Sequence, residues 1–155
     1  MNDTLFIVAL CLISLWLFYA SHYGKSFSGF QCSGVMVHRG TTPAGTFAYT
    51  VQAKMFFTNR HDGFYALNGS FDQDGQLYNL HRTRFFSYRQ KNNPDLYEIT
   101  ITRENISVLD NLPATLNTPV LLPVGDSILS SFRPIDNSAI LVSLFYSPFF
   151  VCAKD

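Results

Sequence analysis

The sequence predicts a mainly β domain, an antiparallel meander curved strongly enough to approach a barrel, carried behind one N-terminal transmembrane helix. Three observations predict it. An uncharged apolar run extends from Leu5 to Ala20, later segments alternate apolar and polar residues, and turn-forming pairs lie between those segments. Composition agrees: 15 Phe and 8 Tyr in 155 residues, with only 14% charged, suit a folded sheet and argue against disorder. The formal charge of zero leaves no global field to attract nucleic acid or anionic lipid.

The apolar run LFIVALCLISLWLFYA spans ~24 Å as a helix, short of the ~30 Å of a hydrocarbon core, and including Thr4 and the stretch to Tyr23 brings it to an adequate length. Trp16, Tyr19 and Tyr23 gather at its C-terminal end, where amphipathic rings prefer the headgroup layer. A cleaved signal peptide would want basic residues before the run and small ones at a cleavage site. Met1-Asn2-Asp3-Thr4 offers no basic side chain, and Gly24-Lys25-Ser26 is a poor cleavage site. A lipid anchor at Cys11 is disfavoured by bulky Leu10 and by the apolar residues that follow. The expected organisation is therefore a short cytoplasmic N-terminus (1–4), an anchor (5–23), a Gly/Ser linker (24–31) and one β-rich domain (32–155).

The strands follow in order. Gly34 to His38 is a brief candidate. From Phe47, one face reads Phe47, Tyr49, Val51, Ala53, Met55, Phe57 and the other Thr46, Ala48, Thr50, Gln52, Lys54, a half-buried strand. Asp62-Gly63 reads as a tight turn, Phe64 to Asp72 as the returning strand with Tyr65, Leu67 and Phe71 on one face, and Asp74-Gly75 as a second hairpin turn. Leu77 to Arg89 is too long to lie flat, so a bend is expected near Phe85-Phe86. A polar turn at Lys91 to Asp95 leads into a strand on which Tyr97, Ile99 and Ile101 alternate with polar residues. The pattern breaks at Glu104. Asn105 to Leu112 is expected to make one or two helical turns, and Pro113, Pro119 and Pro123 exclude a long regular element, though Val120 to Leu122 has room to pair briefly. Ser127 to Arg133 and Ala139 to Tyr146 are the last full strands, and the tail Ser147 to Cys152 returns toward Cys32.

Cys32 and Cys152 bracket the domain, and no CxxC or Cys/His cluster offers a metal site. Two lone cysteines at the ends of a compact domain read as a disulfide, hence as an oxidising compartment outside the cytoplasm; two unrelated buried thiols are the alternative. Lys25 after the helix points the other way, toward a cytoplasmic C-terminus, but long domains translocate largely regardless of flanking charge.

No catalytic constellation emerges. His38, His61 and His81 are scattered without ligand spacing, which leaves them as pH-sensing candidates or plain surface histidines. Asp62, Asp72 and Asp74 are explained by turn chemistry. Arg82 and Arg84 share a strand face that would grip an anionic headgroup or an acidic partner, unless it is simply solvated. The stripe Phe47, Tyr49, Phe57 would line a cavity if the sheet closes, or else pack as core. Leu116, Val120, Leu121 and Leu122 make an apolar stretch in the Pro-rich segment, read as partner-binding or as a cap on the open end of the sheet.

The layout as a whole resembles one family. An uncleaved helix, Cys32-Ser33-Gly34 just beyond it, a meander of long strands and the closing Ser147-Pro148-Phe149-Phe150-Val151-Cys152 look like the FidL-like bacterial inner-membrane proteins. The resemblance implies a single-pass inner-membrane protein with a periplasmic domain that protects or tunes a ToxR-type regulator, the part played by ToxS. That regulator carries a cytoplasmic winged-helix DNA-binding domain, so the accessory itself touches no nucleic acid. No cofactor and no catalytic residue come with the resemblance, and Cys32 and Cys152 carry over as the paired cysteines. The absence of Lys or Arg before the helix departs from the usual inner-membrane pattern. Two other functions compete: a tethered lipocalin-like carrier of a small apolar ligand, and a minor pilin-like subunit, which would want a glutamate that the N-terminal run lacks.

Overall fold

The structure, a computed structural model, describes residues 2–22, 27–43, 45–114, 116, 121–144 and 147–155, with α1 side chains over 7–17. After α1 (Asn2–His22) come eight strands: β1 (Gln31–Thr42), β2 (Gly45–Phe57), β3 (Asp62–Gln73), β4 (Gln76–Gln90), β5 (Leu96–Ile106), β6 (Ser127–Pro134), β7 (Ala139–Leu144) and β8 (Ser147–Lys154). Each pairs antiparallel with the next, and β8 returns to β1, so the expected meander is a closed barrel. Closure removes the two exposed edges that an open sheet of this length would leave. Eight strands enclose an interior just wide enough for side chains or one small ligand.

The alternating residues of β2 point inward as expected: Tyr49, Val51, Ala53, Met55 and Phe57 are all buried. Asp74 and Gly75 both take positive φ, 53° and 85°, which the right-handed twist of a two-residue hairpin demands. Asp62-Gly63, by contrast, is not a turn. The chain reverses over residues 58–61, where the Asn59 side chain accepts the amides of His61 and Asp62 at 2.7 and 2.8 Å. Gly63 serves a different need: it lies inside β3, where a Cβ would come within 2.6 Å of the Phe86 ring.

The irregularity expected near Phe85-Phe86 is present. Phe85 pairs with Arg103 and Phe86 with Ile101, so Thr102 of β5 has no opposite number. That one residue reverses the inward parity of β5. Tyr97, Ile99 and Ile101 face the core before it, and Glu104 stands opposite Arg84 after it. A second register shift at Val142/Ser143 leaves Phe149 as the extra residue of β8.

The helical turns expected over Asn105 to Leu112 do not form. β5 runs to Ile106, and the chain then keeps to the edge of β4: the Ser107 amide donates to His81 O at 3.0 Å and the Asn111 amide to Asn79 O at 3.1 Å. The backbone of β4 supplies the partners that a helix would have supplied itself. Among the described residues, 121–122 form no strand.

The lower end of the barrel, where β1 begins and β8 ends, is filled with rings. Phe57 packs within 5.3 Å of Tyr88 and Phe132, and Tyr97 within 5.3 Å of Phe132. The described part of the expected linker is not loose: Phe27 packs against Phe57, Tyr97 and Phe132 at 5.2 to 5.6 Å, and the Gly29 amide donates to Phe57 O at 2.7 Å. Seam and disulfide meet here too. β1 and β8 share only the pairs Cys32–Lys154 and Ser33–Ala153, and the Cys32–Cys152 disulfide ties the strands across that short ladder, Cα to Cα 5.3 Å. The expected disulfide is thus present, and both cysteines are fully buried.

The described α1 side chains are bare: Ile7, Val8, Leu10, Leu12, Ile13, Leu15 and Leu17 are all exposed, and Trp16 is 70% exposed. Among the described residues no helix is long and apolar enough to cross a membrane.

Candidate functional site

Inside the barrel lies a cavity of about 290 Å³. It arises from residue size. At the lower end large rings meet across the axis, whereas at mid-height the inward positions include Ala53, Ser130 and Val142, which leave the centre unfilled. Phe132 forms part of the floor, Met55, Leu67, Ile99 and Ile101 part of the wall, and Leu121, Leu122 and Pro123 of the β5–β6 crossover line the cavity as well. The extra residue of β8 brings both Phe149 and Phe150 to it. Polar groups are few. Ser130 donates its hydroxyl to Ser143 O at 2.9 Å and is satisfied, and Tyr65 is the other lining residue with a polar side-chain atom.

Beside Tyr65 the inner wall turns charged. Leu80, Arg82, Arg84, Phe86 and Tyr88 are consecutive inward residues of β4, and all five are buried. Arg82 and Arg84 are therefore no solvated face and no surface patch: they are 8% and 2% exposed. Arg82 clasps the crossover, donating from Nε and Nη2 to the two oxygens of Asp110 at 2.8 and 3.0 Å and from Nη2 to Leu112 O at 2.9 Å. Asp110 also accepts the His81 amide at 2.9 Å and the Leu112 amide at 3.1 Å. Burial pushes the Asp110 carboxyl up, but these hydrogen bonds outweigh it and hold its pKa below the ordinary value. The clasp seats Leu112, 5% exposed, in the core.

Arg84 is less well served. Its Nε lies 2.9 Å from Glu104 Oε1, an ion pair by distance, yet off the line a hydrogen bond needs: neither atom has a hydrogen-bond partner among the described residues, and neither does Nη1. The guanidinium also reaches the Tyr65 hydroxyl; burial nonetheless raises the phenol pKa, with Arg84 pulling the other way.

A family model described as "FidL-like putative membrane protein" matches residues 69–152. The chain belongs to the FidL-like family. No curated protein matches it. The FidL-like match takes in both inner arginines, Glu104, Asp110, the crossover and Cys152, and it starts after Cys32 and α1.

In this FidL-like barrel the other sequence-derived sites are dispersed. His38 stands at the upper end of β1, its ring 5.6 Å from those of Phe47 and Tyr49. His61 sits in the exposed β2–β3 turn. The His81 ring lies on the outside of β4, Nδ1 3.0 Å from Asn68 Oδ1. The three are not brought together. The stripe Phe47, Tyr49, Phe57 is core: Phe47 and Tyr49 stack on Phe71, each 6.3 Å away, Phe57 is in the lower end, and none lines the cavity. Leu116, Leu121 and Leu122 are partly buried against the core, and Val120 lies outside the described residues. Glu104 and Asp110 were missed as partners of the arginines. The signal was available: Arg82 and Arg84 share parity with Leu80, Phe86 and Tyr88, an inward apolar face on which arginine needs a buried partner.

Proposed function

We propose that this FidL-like protein is a membrane-tethered barrel that binds one small apolar molecule, working on the outer side of a bacterial inner membrane. The observation that carries the reading is the apolar cavity of about 290 Å³ at the centre of a closed barrel. That volume is at the low end for ligand sites and matches about ten water-sized groups at roughly 30 Å³ each, so the ligand is small. The tether is α1: its uncharged run and its described Ile, Leu and Trp side chains, all exposed, suit lipid. The Cys32–Cys152 disulfide supports an oxidising compartment for the barrel, the periplasm.

The test is retention. The native full chain, purified in lipid nanodiscs and extracted with organic solvent, should yield a small apolar compound that is missing from Ala53→Leu, where a larger side chain fills the cavity. Identical extracts from both would sink the carrier reading.

A second reading, from the resemblance to regulator accessories, is contact with a ToxR-type membrane regulator. Its support is the outer rim of the crossover, where Val108 is 100%, Leu109 65% and Val124 52% exposed. Leu116, Leu121 and Leu122 face the barrel instead and would act by shaping that rim. A photo-crosslinker at position 108 in intact membranes should join the protein to a winged-helix regulator; a crosslinker that reacts only with lipid rules this contact out.

A further inference from the structure

The formal charge of zero hides an uneven distribution along the barrel. Among the described residues, Arg39 is the one exposed cation of the upper end, where the carboxylates of Asp72, Asp74 and Asp126 also lie. The lower end is richer in cations. Arg60 stands in the 58–61 turn, Arg133 near the end of β6 and Lys154 at the end of β8, all three exposed and without a side-chain hydrogen bond or ion pair among the described residues. The carboxylates around them are better served. Glu98 holds both Arg89 and Lys91, Asp155 holds Lys54, Asp136 accepts the Ser138 amide and hydroxyl, and Asp62 accepts Asn59 Nδ2. Of the five carboxylates there, only that of Asp95 lacks such a donor.

The lower end is also the end that the chain brings to α1. Phe27 is packed into the floor, and five residue steps separate it from His22, the last residue of α1. Fully extended, five steps reach at most ~18 Å. With α1 as the tether and Trp16, Tyr19 and Tyr23 at the headgroup layer, the barrel floor cannot stand off the bilayer by more than that span. We propose that the lower end of the barrel is seated on the bilayer, where Arg60, Arg133 and Lys154 bind the phosphate headgroups of anionic phospholipid. The inference rests on the tether in the reading above and names the surface on which the barrel stands. A basic side chain next to an anionic leaflet gains an attraction that falls off within a Debye length, ~10 Å at 0.1 M salt. The tether supplies the proximity that the net charge of the chain does not. The same leaflet repels the upper end, with its three carboxylates and one cation, so tether and charge favour one orientation. Seated so, the crossover and its exposed rim face away from the membrane.

The experiment uses the full chain in nanodiscs of phosphatidylcholine brominated near the headgroups, with and without phosphatidylglycerol, and reads the quenching of a single tryptophan. Native Trp16 reports on the tether. In a Trp16→Phe background, Ile135→Trp reports on the lower end, since Ile135 is 57% exposed in the 135–138 turn, and Leu77→Trp, at an exposed upper-end position, is the control. With phosphatidylglycerol, Ile135→Trp should be quenched and Leu77→Trp should not, and high salt should abolish the difference. Each cation at such a surface is worth roughly a fivefold shift between seated and lifted barrels, so Arg60→Gln/Arg133→Gln/Lys154→Gln should abolish it too. All three side chains are exposed, so the triple variant keeps its fold. Equal quenching at positions 135 and 77 overturns the inference, as does quenching at 135 that survives the triple variant or needs no phosphatidylglycerol. In each of those cases a quenched Trp16 leaves the tether standing. An unquenched Trp16 removes the tether, and the inference falls with it.

Discussion

The lower end and the middle of this barrel are built by the same strands and the same alternation, and they are packed in opposite ways. At the lower end Phe27, Phe57, Tyr88, Tyr97 and Phe132 meet edge to face around the axis, with Phe27 entering from outside the sheet to complete the set. At mid-height Ala53, Ser130 and Val142 occupy equivalent inward positions, and a cavity remains. Inward alternation decides which residues meet, but only side-chain volume decides whether they touch. The solid end lies next to the chain that leads to α1, and the disulfide is there too. The hollow part lies under the crossover that Arg82 clasps. One region holds the barrel shut, and the other is free to host something.

The sharpest way to break the solid end is its covalent tie. Replacing Cys32 or Cys152 by Ser should lower stability by about 4–5 kcal/mol in the chain-entropy model, because the loop closed is long and the β1–β8 ladder offers only two pairs to replace it. Thermal unfolding of the oxidised full chain and the variant in nanodiscs measures this. A variant as stable as the native protein would mean that the ladder alone closes the barrel.

Next in size is the removal of a ring. Phe132→Ala takes a 1% exposed side chain from the lower cluster and should cost about 3–5 kcal/mol. Ile128→Ala removes a partly buried wall residue beside a space that already exists, and should stay near the lower end of the range for such changes, about 2 kcal/mol. Denaturant unfolding of the two variants compares the regions directly. Equal costs would show that the middle is packed as tightly as the floor.

This contrast sets what the sequence could convey. Period-two alternation exposed the strands and their inward faces, since a strand's geometry repeats every second residue, and the two end cysteines indicated closure. Other features depended on partners far along the chain. On β4 parity marks the face of Arg82 and Arg84 as the apolar one, with Leu80, Phe86 and Tyr88, but it names no buried partner for them. The single unpaired Thr102 swings Glu104 inward, and nothing local marks that residue. The 105–112 segment has helix-compatible residues, but the edge of β4 offered backbone partners first. The cavity is a sum over many side-chain volumes and has no motif.

A smaller effect sharpens the comparison from the hollow side. Ala53→Leu adds volume where there is none to displace, so it should stabilise the barrel by about 0.5–2 kcal/mol, as cavity-filling changes do. In a filled core the same enlargement would cost about 1–3 kcal/mol. Thermal unfolding gives the sign. A destabilised Ala53→Leu would mean that the space is not available to a side chain entering from β2.

The smallest expected effect concerns the crossover that borders the cavity, and its sign follows from Asp110. The carboxylate is 1% exposed, pairs with Arg82 and accepts the His81 and Leu112 amides, and its folded pKa lies below the ordinary value. A group whose pKa is depressed on folding contributes stability that is fully present above its unfolded pKa and is lost as pH falls through the folded one. For an aspartate that unfolded value is about 3.9, so nothing should change between pH 7 and pH 5 from this source. Below about pH 4 the clasp on the crossover should weaken, while the ring cluster at the lower end, which titrates nothing in that range, should not. The measurement is the difference in melting temperature between native protein and Asp110→Asn as a function of pH. It should be constant from pH 7 to pH 5 and shrink below about pH 4, because protonation of Asp110 makes the native chain resemble its own variant. A difference that already shrinks above pH 5 would assign the clasp to another titrating group. One that never shrinks would show that the backbone contacts of Ser107 and Asn111 with β4 hold the crossover without the arginine pair.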